Sequence, residues 1–374
     1  MFALLSTAFF YNQNACASFH SKWNVSAPLT IEFSKADFPV KLSPYVVSEV
    51  ASEYDSDSKV VYFAQPNGLV SARDAQSGKN LWSKKIHLKL TAGPFYQNNK
   101  IYIGSQEGKL VALDAKNNGQ VVWKTALSSE ILASPKANDE FVFVNTLDGK
   151  FYALDSETGR IVWSFDRAVP QLILRQASAP TIQDSVVLNG FSSGKLLAFD
   201  VQTGGLIWEK MIANPKGHSE LDRMVDISAD LLSDGENVFS SAFQGQTVGI
   251  NIHTGMTLWE RDMYTQHNMA LDEDVLYLTD NKNILWALDA KTGATLWKQA
   301  NLQQYTLTGP AISEDKLLVA SQSGELLVLD KKEGKLLDKK QLKGHQFIQN
   351  PIIGSESMIY LVSKEGKLSA LEVK

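Results

Sequence analysis

Short apolar runs of four or five residues recur along the chain at 60–64, 101–104, 141–145, 186–189, 238–241, 276–279, 317–320 and 359–362. A turn containing Gly or Asn follows, as in SQEGK, TLDGK, FSSGK, SQSGE and SKEGK. A second run then ends at an Asp, a tight turn containing Gly comes next, and a short third run ends at Trp. Alternation within runs of about five residues, punctuated by glycine, is the pattern of hairpin-linked strands. No stretch beyond about ten residues keeps a helical period, so the pattern predicts few helices.

The second half of each unit condenses to Ala-x-Asp, three residues, Gly, three residues, Trp. Its cleanest copy is Ala153, Asp155, Gly159 and Trp163, and others end at Trp82, Trp123, Trp208 and Trp297. Two copies are degenerate: Gly249, Asn251, Gly255 and Trp259, then Val328, Asp330 and Gly334 with Asp338 in the place of the Trp. The anchor Asp recurs every 38 to 51 residues. That period, built from strands and turns, predicts propeller blades. Eight apolar starts are present, but the last unit stops at Ala370 and Glu372 with no third run. The segment SKWNVSA, carrying Trp23 outside any complete motif, supplies the missing strand. The chain is therefore expected to be all-β: one eight-bladed propeller over 18–374, four antiparallel strands per blade, closed by an N-terminal strand around Trp23. Closure in this way removes open sheet edges.

Each motif position has a structural job. The Asp accepts hydrogen bonds from amides two or three residues on. The Gly supplies positive φ. The Trp falls on the outermost strand, where its ring can cross to the next blade. Burying such a ring covers about 150–250 Å², on the order of 4–6 kcal/mol as an upper bound.

Composition adds constraints. Hydrophobic residues make up 44% and charged residues 21% of the chain, with a net charge of −5. Lys and Arg are scattered, so no nucleic-acid partner is expected. Cys16 is the single cysteine, which excludes an internal disulfide. Residues 1–11, MFALLSTAFFY, are apolar and too short to span a bilayer. Followed by Ala15, Cys16, Ala17 and Ser18, they read as an export segment covering 1–17.

The repeat resembles the tryptophan-docking repeat of quinoprotein dehydrogenase propellers. From residue 23 to 374, however, the chain is more similar to the BamB family, eight-bladed lipoproteins of the outer-membrane β-barrel assembly (BAM) machinery. Two interblade stretches carry that likeness: VPQLILRQASAPT at 169–181 and GHSELDRMVDISADL at 217–231. The resemblance implies a non-catalytic scaffold without cofactor or metal, at the periplasmic face of the outer membrane. It implies that Leu172, Leu174 and Arg175 hold the periplasmic domains of BamA, the barrel-forming subunit. Other BAM subunits and unfolded barrel proteins are further partners, and the membrane is reached only through an N-terminal lipid. Alternation places both leucines on one face. A plain interblade connection whose leucines cap the core is the competing reading.

In the second stretch Asp226 takes the place of the first of two spaced family aspartates, and Ser228 replaces the second. Glu220, Asp222 and Arg223 match too, either as partner contacts or as an ion-pair cluster that holds the loop. Lipid attachment is implied at Cys16. Ala15 suits the preceding small position, whereas Gln13 stands where the family has an apolar residue. Cleavage after Ala17 is the alternative. A quinone-dependent dehydrogenase is the rival enzymatic class, and another exported complex using the propeller as an interaction module is a third reading. The six histidines show no metal spacing, and no nucleophile-elbow, P-loop or dinucleotide motif is present.

Overall fold

The computed structural model of the protein describes residues 19–25, 41–42, 45–47, 60–354, 358–364 and 368–373. The expected export segment, with Cys16, lies outside the described residues, as does the side chain of Trp23.

Eight antiparallel sheets of four strands follow one another along the chain, and among the described residues there is no helix. Blade 3 shows the pattern: Lys136–Ala137 innermost, then Phe141–Asn145, Lys150–Asp155 and Ile161–Asp166 outermost. Blade 1 begins with Tyr45–Val47, and blade 7 ends with Leu336–Gln341. Lys41–Leu42 adds a short parallel pairing to the innermost strand of blade 2. In blade 8 the strands Ile352–Ile353, Met358–Val362 and Leu368–Val373 are completed by Phe19–Val25 from the other end of the chain. Ring closure by the Trp23 strand is thus observed. Trp23 pairs with Ala370 beside a bulge, the register that Trp163 keeps with Ala153 and Trp297 with Ala287.

The core is divided among the seams rather than gathered in one place. Eight apolar clusters each join residues of two neighbouring blades. The second strands are buried along their length because both faces meet a neighbouring blade, which explains their unbroken apolar runs.

Six seams are locked by the motif tryptophans. The Nε1–H of Trp82, Trp123, Trp163, Trp208, Trp259 and Trp297 donates to the carbonyl of Ala115, Ser156, Val201, Ile252, Ala290 and Lys331 respectively, at 2.6–3.2 Å. Each acceptor is the residue after the motif Asp or Asn of the next blade. The motif glycine is required twice over. Gly204 has a φ of +69°, and a Cβ there would stand 2.6 Å from the Trp163 ring. The Asp works as expected: Asp200 accepts from the amide of Thr203 at 2.8 Å and from its hydroxyl at 2.7 Å. Asp155, Asp289 and, by its amide oxygen, Asn251 do the same.

Candidate docking face

Two kinds of loop occupy opposite ends of the ring. Connections between blades bond to the turns between second and third strands: Arg167 N–H to the Gly149 carbonyl, Ile212 N–H to that of Gly194, and Leu147 N–H to that of Glu130. These connections therefore share one end, and the Asp–Gly motif turns lie at the other. Both stretches singled out in the sequence are at the first end, on either side of blade 4.

The connection between blades 3 and 4 leaves the outermost strand at Asp166 and forms no helix or strand before Thr181. Arg167 begins it, bonded to Glu209 of blade 4 at 2.7 Å. Because the segment is not extended, alternation does not govern it and the two leucines part company. Leu172 is 37% exposed, whereas Leu174 is buried at 8%. The expectation that both share one presented face is corrected here. Leu174 turns inward as the capping reading has it, and Leu172 faces solvent. Arg175 stays accessible, but its Nη2 donates to Oε2 of Glu130 at 2.5 Å. Glu130 is a buried acid on the preceding connection. Burial pushes its carboxyl up, against the downward pull of Arg175.

In the connection between blades 4 and 5, residues 214–223 are exposed throughout. Among the described residues no ion pair joins Glu220, Asp222 and Arg223. A reciprocal turn holds the tip instead: Ser219 N–H donates to Asp222 Oδ2 and Asp222 N–H to Ser219 Oγ, both at 3.1 Å. The Ser219 hydroxyl and then its amide hold the Asp222 carboxyl below its ordinary range. Leu221 stands 65% exposed at this tip, and Gln244 holds its carbonyl at 3.2 Å. Asp226 lies deeper, 1% exposed, its carbonyl accepting from Phe243 N–H at 2.7 Å. Beside it, Ile227 fills the hollow left by Gly190. Asp226 and Ser228 are therefore interior residues and not a presented pair.

The two stretches meet side by side: Ala179 N–H donates to Asp230 Oδ1 at 2.9 Å, and the Thr181 hydroxyl to the Leu231 carbonyl at 3.1 Å. From Asp230 a polar girdle runs on through Asn268 to Asn350, whose amide bonds Asn268 and Pro310. Around it opens a cavity of about 810 Å³, whose lining includes Lys136, Gln176 and His267. The sequence reading missed this girdle and the Glu130 tether. Nothing periodic in the sequence marks the girdle: Pro94, Pro135, Pro180, Pro310 and Pro351 stand at or just before innermost strands, but blades 5 and 6, which supply Asp230 and Asn268, have no such proline.

The family model for outer membrane protein assembly factor BamB matches residues 66–299 and 287–374. The chain belongs to the BamB family. A BamB of Alkalilimnicola ehrlichii is 38% identical over 205 residues, covering 55% of this chain and 53% of that protein. A BamB of Legionella pneumophila is 34% identical over 208 residues, covering 56% and 54%. The chain thus spans about half the length of these curated relatives in the matched stretches. The crystal structure of BamB from Moraxella catarrhalis superposes with a TM-score of 0.80 at 22% identity, over 95% of this chain and all of that one. A quinohemoprotein alcohol dehydrogenase of Pseudomonas putida shares the fold at 13% identity and a TM-score of 0.71, over 95% of this chain and 76% of that one. Among the described residues no three His, Cys, Asp or Glu side chains gather into a metal-binding cluster.

Proposed function

We propose that the chain is a non-catalytic scaffold of the outer-membrane β-barrel assembly machinery, acting at the periplasmic face of the outer membrane. It docks onto the periplasmic domains of BamA through the end of the ring that carries both interblade stretches, and so assists insertion of unfolded barrel proteins. The match to the assembly-factor family supports this reading. The observation that carries the site is that Leu172 and the tethered Arg175 are both accessible on the same interblade loop, an apolar anchor and a guanidinium. Leu174 and Asp226 serve it from inside, the first by seating the loop and the second by fixing the neighbouring connection. Cys16 carries the lipid that holds the ring at the membrane.

Immobilised wild-type protein should retain the periplasmic domains of BamA, and Arg175→Glu should not. Equal retention by both would remove Arg175 from the site, and retention by neither would remove the partner. Mass spectrometry of the mature N-terminus decides the anchor: a chain beginning at Ser18 rules it out.

A further inference from the structure

We infer that Glu130 is a positioning residue for the docking loop, acting through Arg175; this rests on the docking reading above. From 168 to 176 the chain has no strand or helix. Among the described residues, the one hydrogen bond made by this segment is that of Arg175 to Glu130. The buried Leu174 and this single charged bond seat the nine residues on the ring, with Val169 packed over Gly149. The partner acid does not belong to the loop's own blades' hairpins. It sits one full blade earlier, 45 residues away, on the connection between blades 2 and 3.

Glu130 is itself held firmly. Its carbonyl accepts from Leu147 N–H at 2.9 Å. The next residue, Ile131, presses its side chain into the hollow at Gly104, where a Cβ would stand 2.5 Å away. The Ile131 carbonyl accepts from the Thr91 hydroxyl at 2.6 Å. The acid is thus a fixed post and the arginine is the movable partner. A charge-assisted bond to a fixed, buried carboxylate limits where the guanidinium and the neighbouring Leu172 can point. The loop then meets its partner already ordered, without losing conformational freedom on binding. Arg175 is half-exposed. Once released it is hydrated, so removing the acid leaves the ring folded.

The experiment uses the full chain and reads three quantities: the rate of limited tryptic cleavage after Arg175 in the free protein, amide hydrogen exchange in the strands of blades 2 and 3, and affinity for the purified periplasmic domains of BamA. Glu130→Ala should speed cleavage after Arg175 at least tenfold while the strands of blades 2 and 3 keep their protection, and should weaken binding at least tenfold. Glu130→Gln, which keeps an acceptor oxygen in place, should recover most of the resistance to cleavage. Unchanged cleavage in Glu130→Ala would overturn the inference. So would loss of protection throughout blades 2 and 3, because the acid would then be merely structural. Should wild type fail to bind those domains, the docking reading falls, and the cleavage measurement still judges the tether.

Discussion

From blade 1 to blade 6, an indole on each outermost strand lies over a glycine of the following motif turn, as Trp163 lies over Gly204. Between blades 7 and 8 the arrangement is reversed. Asp338 stands where the indole would be, and Phe19 stands where the glycine would be, four residues before Trp23 as Gly159 is four before Trp163. Phe19 packs back into the cluster of that seam. Lys340 donates to the Phe19 carbonyl at 2.9 Å. Gln299 and Arg261, also two places beyond the motif position, donate in the same way to the carbonyls of Gly334 and Gly293. The ammonium of Lys340 also lies 5.6 Å from the Phe19 ring centroid. The two kinds of seam teach that Trp and Gly are one unit. A ring projecting forward needs a bare turn, and where it is missing the next strand can fill the space itself.

The heaviest test of this difference removes an indole. Trp163→Ala strips a ring that packs against Phe143, Phe151 and Phe199. Denaturant unfolding should show a loss of about 3–5 kcal/mol. Next, Gly204→Ala puts a methyl under the Trp163 ring at positive φ and should cost roughly 1–3 kcal/mol. The reversed seam then offers an exchange. Asp338→Trp alone should not stabilise, because Phe19 holds the space. Paired with Phe19→Gly it should recover stability, with a coupling of roughly 0.5–3 kcal/mol in a double-mutant cycle. Simple additivity would mean the two positions do not share a volume. Lys340→Met, which deletes one donor to the Phe19 carbonyl, should cost about 1 kcal/mol.

The smallest effect concerns the turns on which the indoles rest. Hydroxyl and amide donors from Thr203 hold the Asp200 carboxyl below the ordinary range, and Thr158 and Thr292 do so for Asp155 and Asp289. A depressed folded-state value means the stabilisation is full above the unfolded value of about 3.9 and fades as pH falls through the folded one. Asn251 has no proton to gain. On acidification below about pH 4, the Thr203 amide should lose protection while the Thr254 amide of blade 5 keeps it. Loss at both would show that acid opens the ring elsewhere.

Blade number, motif roles and closure through Trp23 were legible because each is periodic, and a defect in a periodic signal stands out. The same spacing would have exposed Phe19, had the residue four places before Trp23 been compared with Gly159. The candidate docking face was legible only in outline. Alternation fails between 168 and 176 because no sheet imposes it, so Leu174 turned out buried and Leu172 exposed. Asp226 is of an acidic residue type ordinarily found at the surface, and its depth follows from the backbone pairing with Phe243, which sequence does not show. Glu130 stood in an unremarkable connection, and its meaning depends on an arginine one blade away.

The strand at Phe19–Val25 also sets an order of events. Its partner, Leu368–Val373, is made after the other strands of the ring, and the Lys340 contact to Phe19 already spans 321 residues. During synthesis the early strand must wait while seven blades form, because the surface that receives it does not yet exist. Contacts of such separation form slowly and close only after the rest is in place. A chain cut short before residue 368 would keep most of its seams and still be unable to seal. The joint in blade 8 therefore checks length as well as sequence: only a molecule that carries both strands becomes a ring.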